Sequence, residues 1–196
     1  MCVDENVLIE NSRDASIFQV KPEVVVYPKS VEHIQKVIKI IERRKKDGEN
    51  VALTGRSAGT DMTGGSLTEG VILSFVAHMN KVLEVDEHRV VTQAGVFYRD
   101  LEKETLSKGW FMPSYPASRE ICAIGGIVMN NSGGEKTLTY GKTENYVKEV
   151  EMVLSNADVV TFKELSRDEL EEKKKLETFE GEIYRKMWDL ISNNYD

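Results

Sequence analysis

One arginine, a set of glycines and a row of hydroxyls fall together in Thr54-Gly55-Arg56-Ser57-Ala58-Gly59-Thr60-Asp61-Met62-Thr63-Gly64-Gly65-Ser66. Glycines at 55, 59, 64 and 65 permit a positive φ and let backbone N–H groups converge on an anion. Arg56 adds a fixed charge suited to phosphate oxygens, and Ser57, Thr60, Thr63 and Ser66 add donors. The segment is not a dinucleotide fingerprint, because its glycines miss the G-x-G-x-x-G spacing. Nor is it a P-loop: Gly59 and Gly64 are spaced correctly, but Gly65 stands where the lysine belongs. Taken alone, it reads equally as an anion cradle or a flexible surface loop.

A second cluster tips that balance. Pro116-Ala117-Ser118 precedes Ile124-Gly125-Gly126-Ile127, Asn130-Asn131-Ser132-Gly133-Gly134 and Tyr140-Gly141-Lys142-Thr143. Gly125–Asn131 reads as the start of a helix whose first N–H groups face an anion. Ile124, Ile127, Val128 and Met129 would pack beneath it. Two glycine-rich segments, each next to a βα unit, suit an extended ligand lying between them.

The elements that hold these segments are legible from periodicity. Val24–Tyr27 is a β-branched run that Pro28 stops. Ser30 then caps a helix, with His33 where a capping box would carry Glu. Val31, Ile34, Val37, Ile38 and Ile41 follow at helical spacing and run out at Gly48. Val51–Leu53 and Val71–Leu73 are short strands, so the order strand, helix, strand predicts a right-handed parallel unit. Thr54–Gly70 between them is a long, polar loop of the functional or disordered kind. Val82–Val85 and Arg89–Ala94 read as antiparallel strands turning near Glu87–His88. Phe97–Lys108 is a helix ended by Gly109. Val147–Leu154 and Val159–Phe162 form a hairpin around Ser155–Asp158.

These elements give an α+β chain: one lobe over 1–78, a second over 79–163, and a charged linker with an amphipathic helix over 164–196. The last helix places Ile183, Met187, Leu190 and Ile191 on one stripe, with Tyr184 and Trp188 beside it. A stripe of that kind packs on a core more often than it binds a partner, and it leaves self-association open.

Composition excludes several classes. With 40% hydrophobic residues among 196, the chain can bury a substantial core. It has 26 basic against 33 acidic side chains and a net charge of −7, which argues against a nucleic-acid surface. The basic runs Arg43–Lys46 and Lys173–Lys175 lie beside acidic residues, as on solvated helix faces. Cys2 and Cys122 are too few for a disulfide framework or a metal cluster, so no metal is expected. His33, His78 and His88 fit ordinary structural roles. No signal peptide and no bilayer-length apolar run is visible, so a cytoplasmic protein is the expectation.

The ordered set Arg56-Ser57-Ala58-Gly59-Thr60 with Gly64-Gly65, Gln93-Ala94-Gly95-Val96 before Leu101, Pro116-Ala117-Ser118, Ile124-Gly125-Gly126 with Asn130-Asn131, and Tyr140-Gly141-Lys142-Thr143 resembles the PCMH-type FAD-binding domain of the vanillyl-alcohol-oxidase flavoproteins. It is most similar to their D-lactate, glycolate and D-2-hydroxyglutarate dehydrogenase branch, whose N-terminal segment is matched by Asp14-Ala15-Ser16. The resemblance covers residues 12–163. It implies an FAD-binding domain of two α/β lobes in which Arg56–Asp61, with Gly64 and Gly65, cradles the pyrophosphate. Pro116, Ala117 and Ser118 would line the cofactor further along, and Gly125, Gly126 and Asn130 would approach its phosphate–ribityl region. Gly133, Tyr140, Gly141 and Thr143 would close the site. Thr60 stands where covalent relatives carry His, so FAD is expected to be held non-covalently. Ala157 replaces the family's usual Gly in the turn 155–158, which is expected to put Asn156 in the left-handed conformation.

The family's later Gly-rich segment and its substrate-capping domain are not found before Asp196, so the resemblance implies a chain cut short of its catalytic side chains. Three functional readings follow: the cofactor part of a flavin-dependent oxidoreductase acting on a small 2-hydroxy acid; a flavin-binding subunit without chemistry of its own; or a fragment that binds nothing. The sequence names neither the substrate nor the electron acceptor.

Overall fold

Three apolar runs pair side by side as parallel strands in the computed structural model, which describes residues 1–194. They are β1 (Val24–Val26), β2 (Leu53–Arg56) and β3 (Val71–Ser74), in the order β1-β3-β2. Central β3 is buried at all four residues, as a strand with neighbours on both edges should be. Register pairs Val25 with Ile72 and Arg56 with Ser74.

Helix α1 (Glu5–Glu10) is capped by Asp4, whose carboxylate accepts the N–H groups of Asn6 and Val7. Its Leu8 packs with Val25 and Ile72. Helix α2 (Val31–Lys46) buries Ile34, Ile38 and Ile41, and Ile41 joins Val51 and Val71 in a second cluster. Its last turn carries Arg43, Arg44, Lys45 and Lys46, which favour the negative end of the helix dipole. Ser30 caps it by backbone shape alone, while His33 Nδ1 accepts the Lys29 N–H at 3.4 Å.

The second strand starts and ends later than the sequence pattern implies. Val51 is buried on the approach, and Thr54, Gly55 and Arg56 extend the ladder along β3 because Ile72, Leu73 and Ser74 offer them partners. The glycine loop therefore leaves the sheet at Arg56, at the carboxyl end of the parallel strands.

The rest of this region is antiparallel and helical. β4 (Val82–Val85) pairs with β5 (Val90–Thr92), and Asp86 closes their turn by accepting the N–H groups of His88 and Arg89. Helix α3 (Tyr98–Leu106) ends before Gly109, at φ +84°. Two short helices follow, α4 (Ile124–Met129) and α5 (Thr137–Tyr140). Tyr98, Tyr115, Cys122 and Ile127 form the core here.

The chain divides into two compact units, Met1–Val147 and Lys148–Asp196. Both glycine segments and residue 78, the seam read from sequence, lie in the first. In the second, β6 (Glu149–Val153) and β7 (Val159–Lys163) make a regular hairpin. The charged stretch after it forms helix α6 (Arg167–Lys175), started by a full capping box of Ser166 and Glu169. Helix α7 (Phe179–Asn194) places Tyr184 5.9 Å from Phe162, ring to ring. Met187, Trp188, Leu190 and Ile191 remain substantially exposed on it.

The hairpin turn corrects one expectation. Ala157, not Asn156, takes the left-handed conformation, at φ +69°. Asn156 uses its side chain instead, accepting the Asp158 N–H and donating to the Asp158 carboxylate. That side-chain turn leaves the positive φ to the next residue.

Candidate functional site

The loop that leaves β2 has few internal hydrogen bonds and is shaped by side chains. Asp61 Oδ2 accepts the Gly65 N–H at 2.6 Å and the Thr63 hydroxyl at 2.8 Å, closing the turn 61–65. Burial opposes the charge on Asp61, but these bonds outweigh it and hold the carboxyl below its usual range. Gly59 and Gly64 have φ of +68° and +82°, which suits glycine at both bends. By contrast, the N–H groups of Ser57, Ala58, Gly59 and Thr60 donate to no acceptor among the described residues. Successive open donors at the carboxyl end of a parallel sheet form an anion cradle.

Arg56 does not project freely over this cradle. Its Nη2 donates to Arg13 O at 2.7 Å, and its Nη1 to Ser66 Oγ at 3.3 Å. The guanidinium lies so close to Gly59 that a Cβ there would collide with it. Burial pushes the Arg56 pKa down, and the Asp14 carboxylate opposes that.

The two glycine segments meet at Ala94. Ala94 O accepts both Ser57 Oγ at 3.0 Å and the Gly125 N–H at 2.8 Å. A Cβ on Gly126 would sit 3.5 Å from Ser57 Cβ. Ala94 was quoted in the family pattern without a role; its carbonyl is the joint between the segments. In α4 the Ile124 and Gly125 N–H groups are taken up by Val96 O and Ala94 O. Of the expected helix-start donors, the Gly125 N–H is thus used within the chain, while the Gly126 N–H donates to no acceptor among the described residues.

Pro116, Ala117 and Ser118 begin a turn in which Ser118 O accepts the N–H groups of Ile121 and Cys122. Helix α3 braces that turn. Glu102, 12% exposed, takes both carboxylate oxygens to Arg119 Nη2 at 2.5 Å, and Arg99 donates to Glu120 O. The Arg119 guanidinium also lies over the Tyr115 ring at 4.9 Å. Tyr98, beneath, donates to Met112 O, and burial with the Glu102 charge pushes its phenol up.

Asn130 and Tyr140 are exposed, while Gly133 and Gly141 are half-buried. Asn131 accepts the Glu144 N–H, and Tyr140 O accepts the Tyr146 hydroxyl. Thr143 is 1% exposed and donates to Ser132 O, so its hydroxyl holds the loop from inside. Met62 in the first segment is exposed, as is Phe18 beside Gly64; Met129 and Leu138 in the second region are exposed too. Two surface hollows lie elsewhere, one by Tyr27, Lys29 and His33, the other by Lys163, Asp168 and Lys173. Neither is lined by a residue of 57–66.

The family model described as "FAD binding domain" matches residues 22–163. The chain belongs to that family. As an FAD binding domain it is 36% identical over 146 residues to the glycolate oxidase subunit GlcD of Bacillus subtilis (strain 168), covering 73% of this chain and 30% of that protein. It is 28% identical over 179 residues to the D-2-hydroxyglutarate dehydrogenase of Escherichia coli (strain K12), covering 90% of this chain and 17% of the relative. It is 32% identical over 144 residues to the D-lactate dehydrogenase of Anaerostipes hadrus, covering 71% and 29%. The chain thus spans under a third of the length of these relatives. Among solved structures, alkyldihydroxyacetonephosphate synthase (crystal form P212121) shares the fold at a TM-score of 0.69 and 21% identity, over 84% of this chain and 32% of that one.

The cofactor of this family is FAD. The residues present fit it: the open N–H run at 57–60 suits a pyrophosphate. No described helix is long and apolar enough to cross a membrane.

Proposed function

We propose that this chain holds the FAD pyrophosphate on Arg56–Asp61 with Gly64 and Gly65, in a protein that oxidises a small 2-hydroxy acid. The observation that carries this reading is the run of open donors at Ser57–Thr60. The second segment, docked at Ser57 and Gly126, extends the surface towards Pro116, Ala117 and Ser118. Gly125, Gly126, Asn130, Gly133, Tyr140, Gly141 and Thr143 shape its far side. We divide the work between a lobe over 1–78 and a lobe over 79–163.

In this reading the chain's own residues bind and orient. Backbone N–H groups neutralise phosphate charge, and the Asp61 turn fixes the loop's width. Asp61 is itself an anion, but its Oδ2 is turned inward onto Gly65 and Thr63. When bound, FAD supplies a two-electron acceptor for a hydride from the substrate's carbinol carbon. The names of the relatives support a hydroxy-acid substrate.

The test is a fluorescence titration of FAD into this chain, followed by acid precipitation of the complex. Saturable binding with all flavin released to the supernatant is expected, because Thr60 offers no imidazole for a covalent link. Absence of binding would remove the cradle; flavin in the pellet would remove the non-covalent assignment.

A further inference from the structure

The loop 57–66 is held from outside by a segment 43 residues upstream of Arg56, with hydrogen bonds that run through both guanidinium arms. Arg56 Nη2 donates to Arg13 O, and Nη1 donates to Ser66 Oγ. Ser66, only 8% exposed, donates its hydroxyl to Asp14 Oδ2 at 3.3 Å. The other Asp14 oxygen accepts the Ser16 N–H at 2.9 Å, and Ser16 Oγ accepts the Phe18 N–H at 3.1 Å. Phe18 then returns to the loop: a Cβ on Gly64 would lie 3.0 Å from its ring. The segment is stiffened from behind, since Arg13 donates to Gln19 Oε1, Gln19 to Ser12 Oγ, and Ser12 to Ile9 O. Residues 13–18 therefore touch the loop at both ends, at Arg56–Ser66 and at Gly64.

We propose that Asp14 and Arg56 act as one clasp that fixes the loop 57–66, so that Arg56 is a positioning residue and the segment 13–18 belongs to the cofactor site without touching cofactor. The geometry separates this from a direct phosphate contact. A guanidinium pinned to a carbonyl and a hydroxyl, and packed on Gly59, presents its fork to the protein. The fork matters in a clasp, because two acceptors in different segments need two directed donors. Lysine supplies the charge without the fork. A phosphate ligand acting through charge alone tolerates lysine better. A clasp also makes Asp14 and Arg56 interdependent, as members of one hydrogen-bond network are.

The experiment is a double-mutant cycle on this chain with Asp14→Asn, Arg56→Lys, Arg56→Ala and the Asp14→Asn/Arg56→Ala pair. Two readouts are used: amide hydrogen exchange without ligand at Gly65 and Leu67, the bonded amides at the loop's closing end, and the Kd for FAD. The exchange readout stands on the clasp alone; the Kd readout rests on the function proposed above. Expected are faster exchange at Gly65 and Leu67 in every variant, Arg56→Lys nearly as fast as Arg56→Ala, and the pair no faster than the worse single. The FAD Kd should weaken roughly ten- to a hundred-fold in Arg56→Ala and move the same way in Asp14→Asn. Unchanged exchange in Asp14→Asn, or tighter FAD binding once Asp14 no longer holds Arg56, would overturn the clasp. Coupled exchange in a chain that binds no FAD at all would uphold the clasp and overturn the cofactor site instead.

Discussion

The two glycine-rich segments use glycine for opposite ends. In the first, glycines at positive φ open the backbone, and the N–H groups of 57–60 stay without acceptors. In the second, the N–H groups of Ile124, Gly125, Ile127, Asn130, Asn131 and Ser132 are donated within the chain, and among its helix-start donors that of Gly126 stays open. There the missing side chains make room for the protein itself: a Cβ on Gly125 would meet Ala94 Cβ at 2.8 Å, and one on Gly134 would collide with Tyr115 O. The first segment keeps a run of backbone donors open. The second spends most of its donors on its own packing and docks on the first through Ala94 O.

That contrast can be broken by substitution. The largest effect on stability is expected at the second segment. Gly134→Ala and Gly125→Ala force backbone apart and should each cost about 1–3 kcal/mol, as overpacked sites do. At roughly 2–4 °C per kcal/mol for a chain of this size, the shift reads out in a melting curve. Gly59→Ala should cost less stability, about 1–2 kcal/mol for an alanine held at positive φ, but should weaken FAD through the displaced Arg56. If Gly59→Ala melted far lower than Gly134→Ala with FAD affinity intact, the division of roles would be reversed.

Acid should act on the first segment. The folded Asp61 carboxyl lies below its usual range, so it stabilises the turn 61–65 above its unfolded value near about 4 and loses that as pH falls through the folded value. Amide protection at Gly65 should be steady from pH 7 to 5 and drop below about pH 4. Asp61→Asn should flatten that drop. A drop at the second segment instead would place the acid-sensitive group elsewhere.

The smallest effect is expected at Ala157. Glycine there would relieve about 1–2 kcal/mol of left-handed strain. It would also lose a methyl that is 3% exposed, worth about 0.8 kcal/mol, and loosen the unfolded chain by about 0.4–1 kcal/mol. Ala157→Gly should therefore shift stability by less than about 1 kcal/mol either way. A larger loss in the melting curve would mean that the methyl, rather than the backbone, decides the turn.

What the sequence made legible was local. Parallel strands, the helix of Ile34, Ile38 and Ile41, and the hairpin at 155–158 follow from periodicity and turn residues. The ordered glycine motifs pointed to the FAD-binding family, and residues 22–163 match it. What stayed hidden depends on groups far apart in the chain. Asp14 and Ser66 meet across 52 positions, and Ser57 and Ala94 across 37. The pattern Asp14-Ala15-Ser16 could be matched without showing that its carboxylate faces Arg56 through Ser66. Likewise, Gly125 reads as a helix start, but only the fold shows Ala94 O taking its N–H. The strand limit at Arg56 was missed because Gly55 looks like loop until β3 supplies its ladder partner.

Amide hydrogen exchange with and without FAD tests the central claim most directly. If the first segment receives the pyrophosphate on its open donors, saturating FAD should slow exchange at Ser57, Ala58, Gly59 and Thr60. The amides of Gly125, Ile127 and Asn130, already bonded within the chain, should change little. Protection gained at those three residues while 57–60 kept exchanging freely would contradict it.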